Sequence, residues 1–212
     1  MALNPNDLRL YLVTDPILCA EHGVIGTVAA AVAGGVTFVQ LRDKTASTAD
    51  RVALAGALKD ALAGTGVPFV INDDVTAAKA ADVDGVHVGQ DDMAAAEARA
   101  ILGPGKIVGL SCESAAAVSA VDPRIVDYLG IGTVFATATK ADHKPTIGMD
   151  GLAALCALAP VPTVAIGGLK ATHARDAQMS GADGMAVVSA ICGQPDPEKA
   201  AKEINQAMGD LR

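Results

Sequence analysis

The chain has 212 residues, a formal net charge of −8 and 51% apolar residues, yet only two Tyr, three Phe and no Trp. It therefore lacks the aromatic platforms and basic faces that hold nucleic acid, and its charge disfavours anionic membrane surfaces. An anionic small molecule is not excluded, because the bulk charge is screened beyond ~8 Å and a few local cations decide whether a phosphate is held.

The length suits one domain, 1–212, with a full hydrophobic core. Cys19, Cys112, Cys156 and Cys192 lie far apart with no C-x-x-C pair, which reads as reduced thiols in a cytoplasmic protein. The opening residues carry Asn, Pro and Asp where a signal peptide would carry basic and then apolar residues. Residues 22–41 carry no formal charge, but Gly26, Gly34, Gly35, Thr37 and Gln40 interrupt them. Their character changes from Ala-rich to β-branched at Val36, so helix, turn and strand are expected there and not a membrane span.

In chain order, short β-branched runs at 8–13, 36–41, 67–71, 85–88, 106–110, 126–131, 161–166 and 184–188 alternate with Ala-rich helical stretches. Strict alternation calls for a parallel sheet, and eight units in this length favour an α/β fold closed as a single (β/α)8 TIM barrel over an open doubly wound sheet. Ser47 or Thr48 can cap the second helix; Leu54, Leu58 and Leu62 stack along it, and Gly64 and Gly66 end it. Asp196 and Pro197 open the last helix as N-cap and first helical residue.

Candidate chemistry gathers where strands end, the side on which such folds keep their sites. Gln40, Arg42 and Lys44 alternate off the second strand, so an extended backbone aims an amide and two cations the same way, toward a phosphate or diphosphate. The competing reading is a solvated loop. The apolar run 67–71 stops at Asn72, Asp73 and Asp74, and residues 85–88 run into Gly89, Gln90, Asp91 and Asp92. One Asp of each pair should cap the following helix, leaving one from each to hold a hard divalent cation with water and phosphate oxygens.

Thr137, Ala138, Thr139 and Lys140 follow the sixth strand and offer two hydroxyls and a cation. Gly167 and Gly168 end the seventh strand, and Val188 and Ser189 the eighth. In barrels those two loops frequently bind phosphate through backbone N–H groups, although glycine also serves as a plain turn residue. Ser111 has no His or Lys within sequence reach, so it reads as a hydrogen-bond donor and not as a nucleophile. His87, inside an apolar strand, reads as a satisfied core imidazole.

Taken together these motifs resemble the thiamine-phosphate synthase family. The resemblance runs from residues 10–15 through Gln40-Leu41-Arg42-Asp43-Lys44, Ile71-Asn72-Asp73-Asp74, His87-Val88-Gly89-Gln90-Asp91-Asp92, Thr137-Ala138-Thr139-Lys140 and Ala165-Ile166-Gly167-Gly168 to Gly181-Ala182-Asp183-Gly184. It implies a transferase that condenses hydroxymethylpyrimidine diphosphate with hydroxyethylthiazole phosphate, releasing pyrophosphate. By the same resemblance, Gln40, Leu41, Arg42, Asp43, Lys44, Asn72, Ser111 and Lys140 would meet the pyrimidine diphosphate. Thr137, Ala138, Thr139, Gly168, Val188 and Ser189 would meet the thiazole phosphate, and Asp73 and Asp92 would hold Mg2+. Arg42, Lys44, Lys140 and Ser111 would act in catalysis by a dissociative substitution.

Two departures are visible: Thr133 and Ala136 stand where the family loop usually has proline. The rival readings are a thiazole tautomerase-like proton-transfer enzyme and a non-catalytic barrel that binds phosphate metabolites. The tautomerase would need a His where Cys112 and Glu113 stand. An exposed apolar helix face could pair two copies into a homodimer.

Overall fold

The structure is a computed structural model that describes residues 3–137 and 145–209. Its eight strands are β1 (Leu10–Val13), β2 (Phe38–Leu41), β3 (Phe69–Asn72), β4 (Gly85–Val88), β5 (Ile107–Cys112), β6 (Tyr128–Ile131), β7 (Thr163–Ala165) and β8 (Gly184–Val187). Each pairs in parallel with its sequence neighbours, and β1 pairs with β8, so the sheet closes as the expected (β/α)8 barrel. The helices are α1 (Gly23–Ala33), α2 (Thr48–Leu62), α3 (Val75–Ala80), α4 (Ala95–Leu102), α5 (Ala115–Ser119), α6 (Gly148–Cys156), α7 (Ala174–Met179) and α8 (Pro197–Ala207). The uncharged stretch 22–41 resolves into α1, a glycine turn and β2, and among the described residues no helix is long and apolar enough to cross a membrane.

The strands are buried on both faces, which is why their sequences run apolar without alternating polarity. Tyr11, Phe38, Val70, Ile107, Tyr128, Val164 and Ala186 point inward and fill the barrel. Leu10, Leu12, Val39, Leu41, Ile71, Val86, Val88 and Leu129 belong instead to the shell shared with the helices. Caps fall where the side-chain chemistry puts them: Ser47 accepts from the Asp50 N–H of α2, and Asp196 accepts from the Lys199 N–H of α8.

The N-terminal rim carries a repeated device. The residue before each even strand binds a backbone N–H of the odd strand preceding it: Thr37 takes Leu10 at 3.0 Å, Asp84 takes Phe69 at 2.8 Å, Asp127 takes Val108 at 2.7 Å and Asp183 takes Thr163 at 2.7 Å. Glycine follows Asp84 and Asp183 because a Cβ at Gly85 would overlap the Ile107 backbone, and one at Gly184 the Leu8 backbone. The Asp-Gly pairs are therefore strand-closing elements on the rim opposite the candidate chemistry.

Candidate active site

The C-terminal rim collects the polar residues. At the end of β2 the alternation places Gln40 and Arg42 inward, 4% and 8% exposed, while Leu41 is buried in the outer shell and lines neither of the two cavities that open here. Asp43 is occupied within its own loop, where its carboxylate accepts from the Thr45 and Ala46 N–H groups and the Thr45 hydroxyl. Lys44 stands exposed at the cavity mouth.

Asp73 follows Asn72 in the left-handed region at φ +61°, and its N–H donates to the His87 carbonyl at 2.8 Å. Asp74 is the expected cap: it accepts from the Ala77 N–H and also receives Thr48 and Arg51, each at 2.8 Å. Arg51 in turn donates to the Asp43 carbonyl, so one guanidinium ties the loops after β2 and β3. The second acidic pair behaves differently from expectation. The residue before α4 is Ala94, with no side-chain cap, and Asp92 closes a turn by accepting from Gly89 N–H at 2.8 Å. That turn points Asp92 at Asp73. Burial, a hydrogen bond from the Asp92 side chain and its charge push the Asp73 carboxyl up to about 6, against the pull of Lys44 and Asn72.

Two adjoining cavities open here. The polar one is lined by Arg42, Lys44, Asn72, Asp73, Asp92 and Glu113. The other is lined by Val13, Thr137, Ile166, Gly168, Val188 and Ser189. Arg42, Asn72, His87, Ser111, Thr133 and Ile166 form a wall common to both. Gly167 and Gly168 sit at φ +96° and +65°, and a Cβ on Gly168 would press on the Phe135 and Ala136 carbonyls, so glycine here permits close approach as well as a turn. Ala138, Thr139 and Lys140 lie outside the described residues.

The fold adds what sequence spacing does not reveal. His87, 7% exposed, places Nε2 2.9 Å from the Ser111 hydroxyl and Nδ1 2.9 Å from the Tyr128 hydroxyl. It is a satisfied imidazole, as expected, yet it lines the site and gives Ser111 the partner that sequence distance seemed to deny. Strand register brings them together: Asn72 pairs with His87, His87 pairs with Gly109, and Ser111 lies two residues further along β5 on the same face.

The model of the family described as thiamine monophosphate synthase matches residues 10–191. A thiamine-phosphate synthase of Xanthobacter autotrophicus is 53% identical over 204 residues, covering 96% of this chain and 97% of that protein. One from a Psychrobacter species is 50% identical over 198 residues, 92% of each. A solved thiamine phosphate pyrophosphorylase from Pyrococcus furiosus superposes with a TM-score of 0.87 at 34% identity, covering 96% of each chain. With matches of this length on top of the closed barrel and its paired cavities, the chain belongs to the thiamine monophosphate synthase family, and is an enzyme of the transferase class.

Proposed function

We propose that this chain condenses hydroxymethylpyrimidine diphosphate with hydroxyethylthiazole phosphate, giving thiamine phosphate and pyrophosphate. The observation that carries the reading is the common wall between a charged cavity and a more apolar one, which suits a leaving diphosphate on one side and an accepting ring on the other. Arg42 and Lys44, with Lys140, would bind diphosphate oxygens. Asn72, Gln40 and Ser111 would hold the rest of that substrate, and Thr137, Thr139, Gly168, Val188 and Ser189 the thiazole phosphate.

The donor set fits Mg2+. Asp73 and Asp92 offer oxygen ligands only, and among the described residues no group of three or more His, Cys, Asp or Glu could hold a metal. Two carboxylates completed by water and phosphate oxygen match magnesium, whereas a zinc or calcium cage would need more protein ligands. When bound, the ion would supply positive charge that stabilises the departing diphosphate. A cation about 4 Å from a phosphate oxygen, at an effective dielectric near 20, contributes ~4 kcal/mol before desolvation is subtracted. In the dissociative substitution the C–O bond breaks with its electron pair leaving on the diphosphate, and the thiazole nitrogen lone pair captures the methylene cation. No protein nucleophile is required. The Ser111–His87 pair does not supply one, because the third group is the Tyr128 phenol, whose ionisation burial pushes well above the ordinary tyrosine range. A neutral phenol does not stabilise an imidazolium as a carboxylate does.

Incubation with both substrates and magnesium should yield thiamine phosphate and pyrophosphate in equal amounts, and failure to form either sinks the reading. A tautomerase reading has less support: Cys112 is buried, and its thiol is pushed up to about 11 by burial and by Glu113.

A further inference from the structure

Two tyrosines inside a barrel need partners for their hydroxyls, and here the partners form one continuous string. Gln40 Nε2 donates to the Tyr11 hydroxyl at 2.5 Å; Tyr11 and Tyr128 hydroxyls are 2.8 Å apart; Tyr128 meets His87 Nδ1 at 2.9 Å; His87 Nε2 meets Ser111 Oγ at 2.9 Å. The string runs from β2 through β1, β6 and β4 to β5, and both of its ends line the cavities. Room is made for it. A Cβ at Gly109 would overlap the Tyr128 ring, and one at Gly130 would sit 3.2 Å from the His87 ring. Phe38 packs against both phenols, with ring centroids at 4.5 and 5.6 Å.

Each link has a direction. The Gln40 amide nitrogen only donates, so the Tyr11 oxygen accepts. The Tyr11 proton then goes to Tyr128, and the Tyr128 proton to His87 Nδ1, which must be unprotonated. The neutral imidazole therefore carries its proton on Nε2 and donates it to Ser111 Oγ. The Ser111 proton is left to point into the cavity. Running Tyr128 toward Tyr11 instead, with Gln40 still donating, would leave the Tyr11 proton, on a side chain only 1% exposed, with no acceptor in the string, at ~1–3 kcal/mol for an unmade buried bond.

We propose that Tyr11, Tyr128 and His87 are positioning residues that lock the polarity of the Ser111 hydroxyl to the orientation of the Gln40 amide. Ser111 then presents a donor and Gln40 Oε1 an acceptor to the bound substrate. This assignment rests on the proposed synthase reading for which substrate is held, but the string itself can be tested without turnover. In the substrate-free protein, 15N NMR of the His87 ring, assigned with His87→Gln, should report the Nε2–H tautomer. An Nδ1–H tautomer would mean that the string runs backward and would overturn the proposal. With turnover, Tyr128→Phe should raise KM for the pyrimidine diphosphate about fivefold and leave KM for the thiazole phosphate unchanged. In a Ser111→Ala background the same change should have less than a twofold effect, whereas equal effects in both backgrounds would reduce the string to packing. A protein that makes no thiamine phosphate but shows the Nε2–H tautomer would lose the synthase reading and keep the string.

Discussion

At the N-terminal rim, Asp84, Asp127 and Asp183 each take a backbone N–H of the neighbouring strand. At the C-terminal rim Asp73 and Asp92 are turned toward one another, with the Asp73 carboxyl held near 6 by burial and by its like-charged neighbour. The residue type is the same; the surroundings differ. Carboxylates below are matched to donors within the fold, which is how a group serves stability, whereas above, Asp92 takes the Gly89 N–H of its own turn and still faces the like-charged Asp73. The contrast extends to conformation, since Asp73 sits at φ +61°, a region few non-glycine residues occupy.

The comparison breaks most visibly at Asp73. Replacing it with Asn should lower kcat by at least on the order of a hundredfold, the size seen when one charge-stabilising group is removed, while phosphate binding stays measurable by calorimetry. Retained turnover would show that the upper pair is no more specialised than the lower three. Asp127→Ala should do the reverse. It frees the Val108 N–H and one Arg99 contact, costing about 2 kcal/mol, so Tm should fall by roughly 4–8 °C with both KM values unmoved. A KM shift would mean that the lower rim is not insulated from the site.

Stability against pH sharpens the contrast. A carboxyl whose folded pKa of about 6 exceeds its ordinary 3.8 binds more protons in the native state through that window, so its presence costs stability as pH rises from about 4 to 6. In metal-free protein the Tm difference, Asp73→Asn minus wild type, should therefore grow over that range and level off above it. Because Asp73 is only half-buried, solvent screening reduces this to a small effect. Saturating magnesium should diminish or reverse it, and a difference independent of pH would remove the repulsion from the account.

The smallest effect belongs to the loop after β6. Its entry is already pinned, with Val134 and Phe135 N–H groups donating to the Ile166 and Gly167 carbonyls, so the missing prolines leave only the segment beyond Phe135 to be stiffened. Ala136→Pro should lower KM for the thiazole phosphate by about twofold. An unchanged or raised value would show that preorganisation of this loop does not limit binding.

Strand count, closure as a barrel, the caps at Ser47 and Asp196 and the grouping of polar residues at strand ends were all legible in the order of the residues. These follow from local periodicity and short-range chemistry, which a linear string of side chains carries. The role of Asp92 was not legible, because a cap and a turn closure look alike until the following helix is seen to start at Ala95 rather than beside it. Nor was the inward face of the strands: with both faces apolar, nothing local distinguishes Tyr11, His87 and Tyr128 in the barrel from Leu12, Val88 and Leu129 outside it. Only the register of eight strands brings Gln40, Tyr11, Tyr128, His87 and Ser111 into one string, since hydrogen bonds between residues as many as 117 apart in sequence depend on how the whole sheet closes.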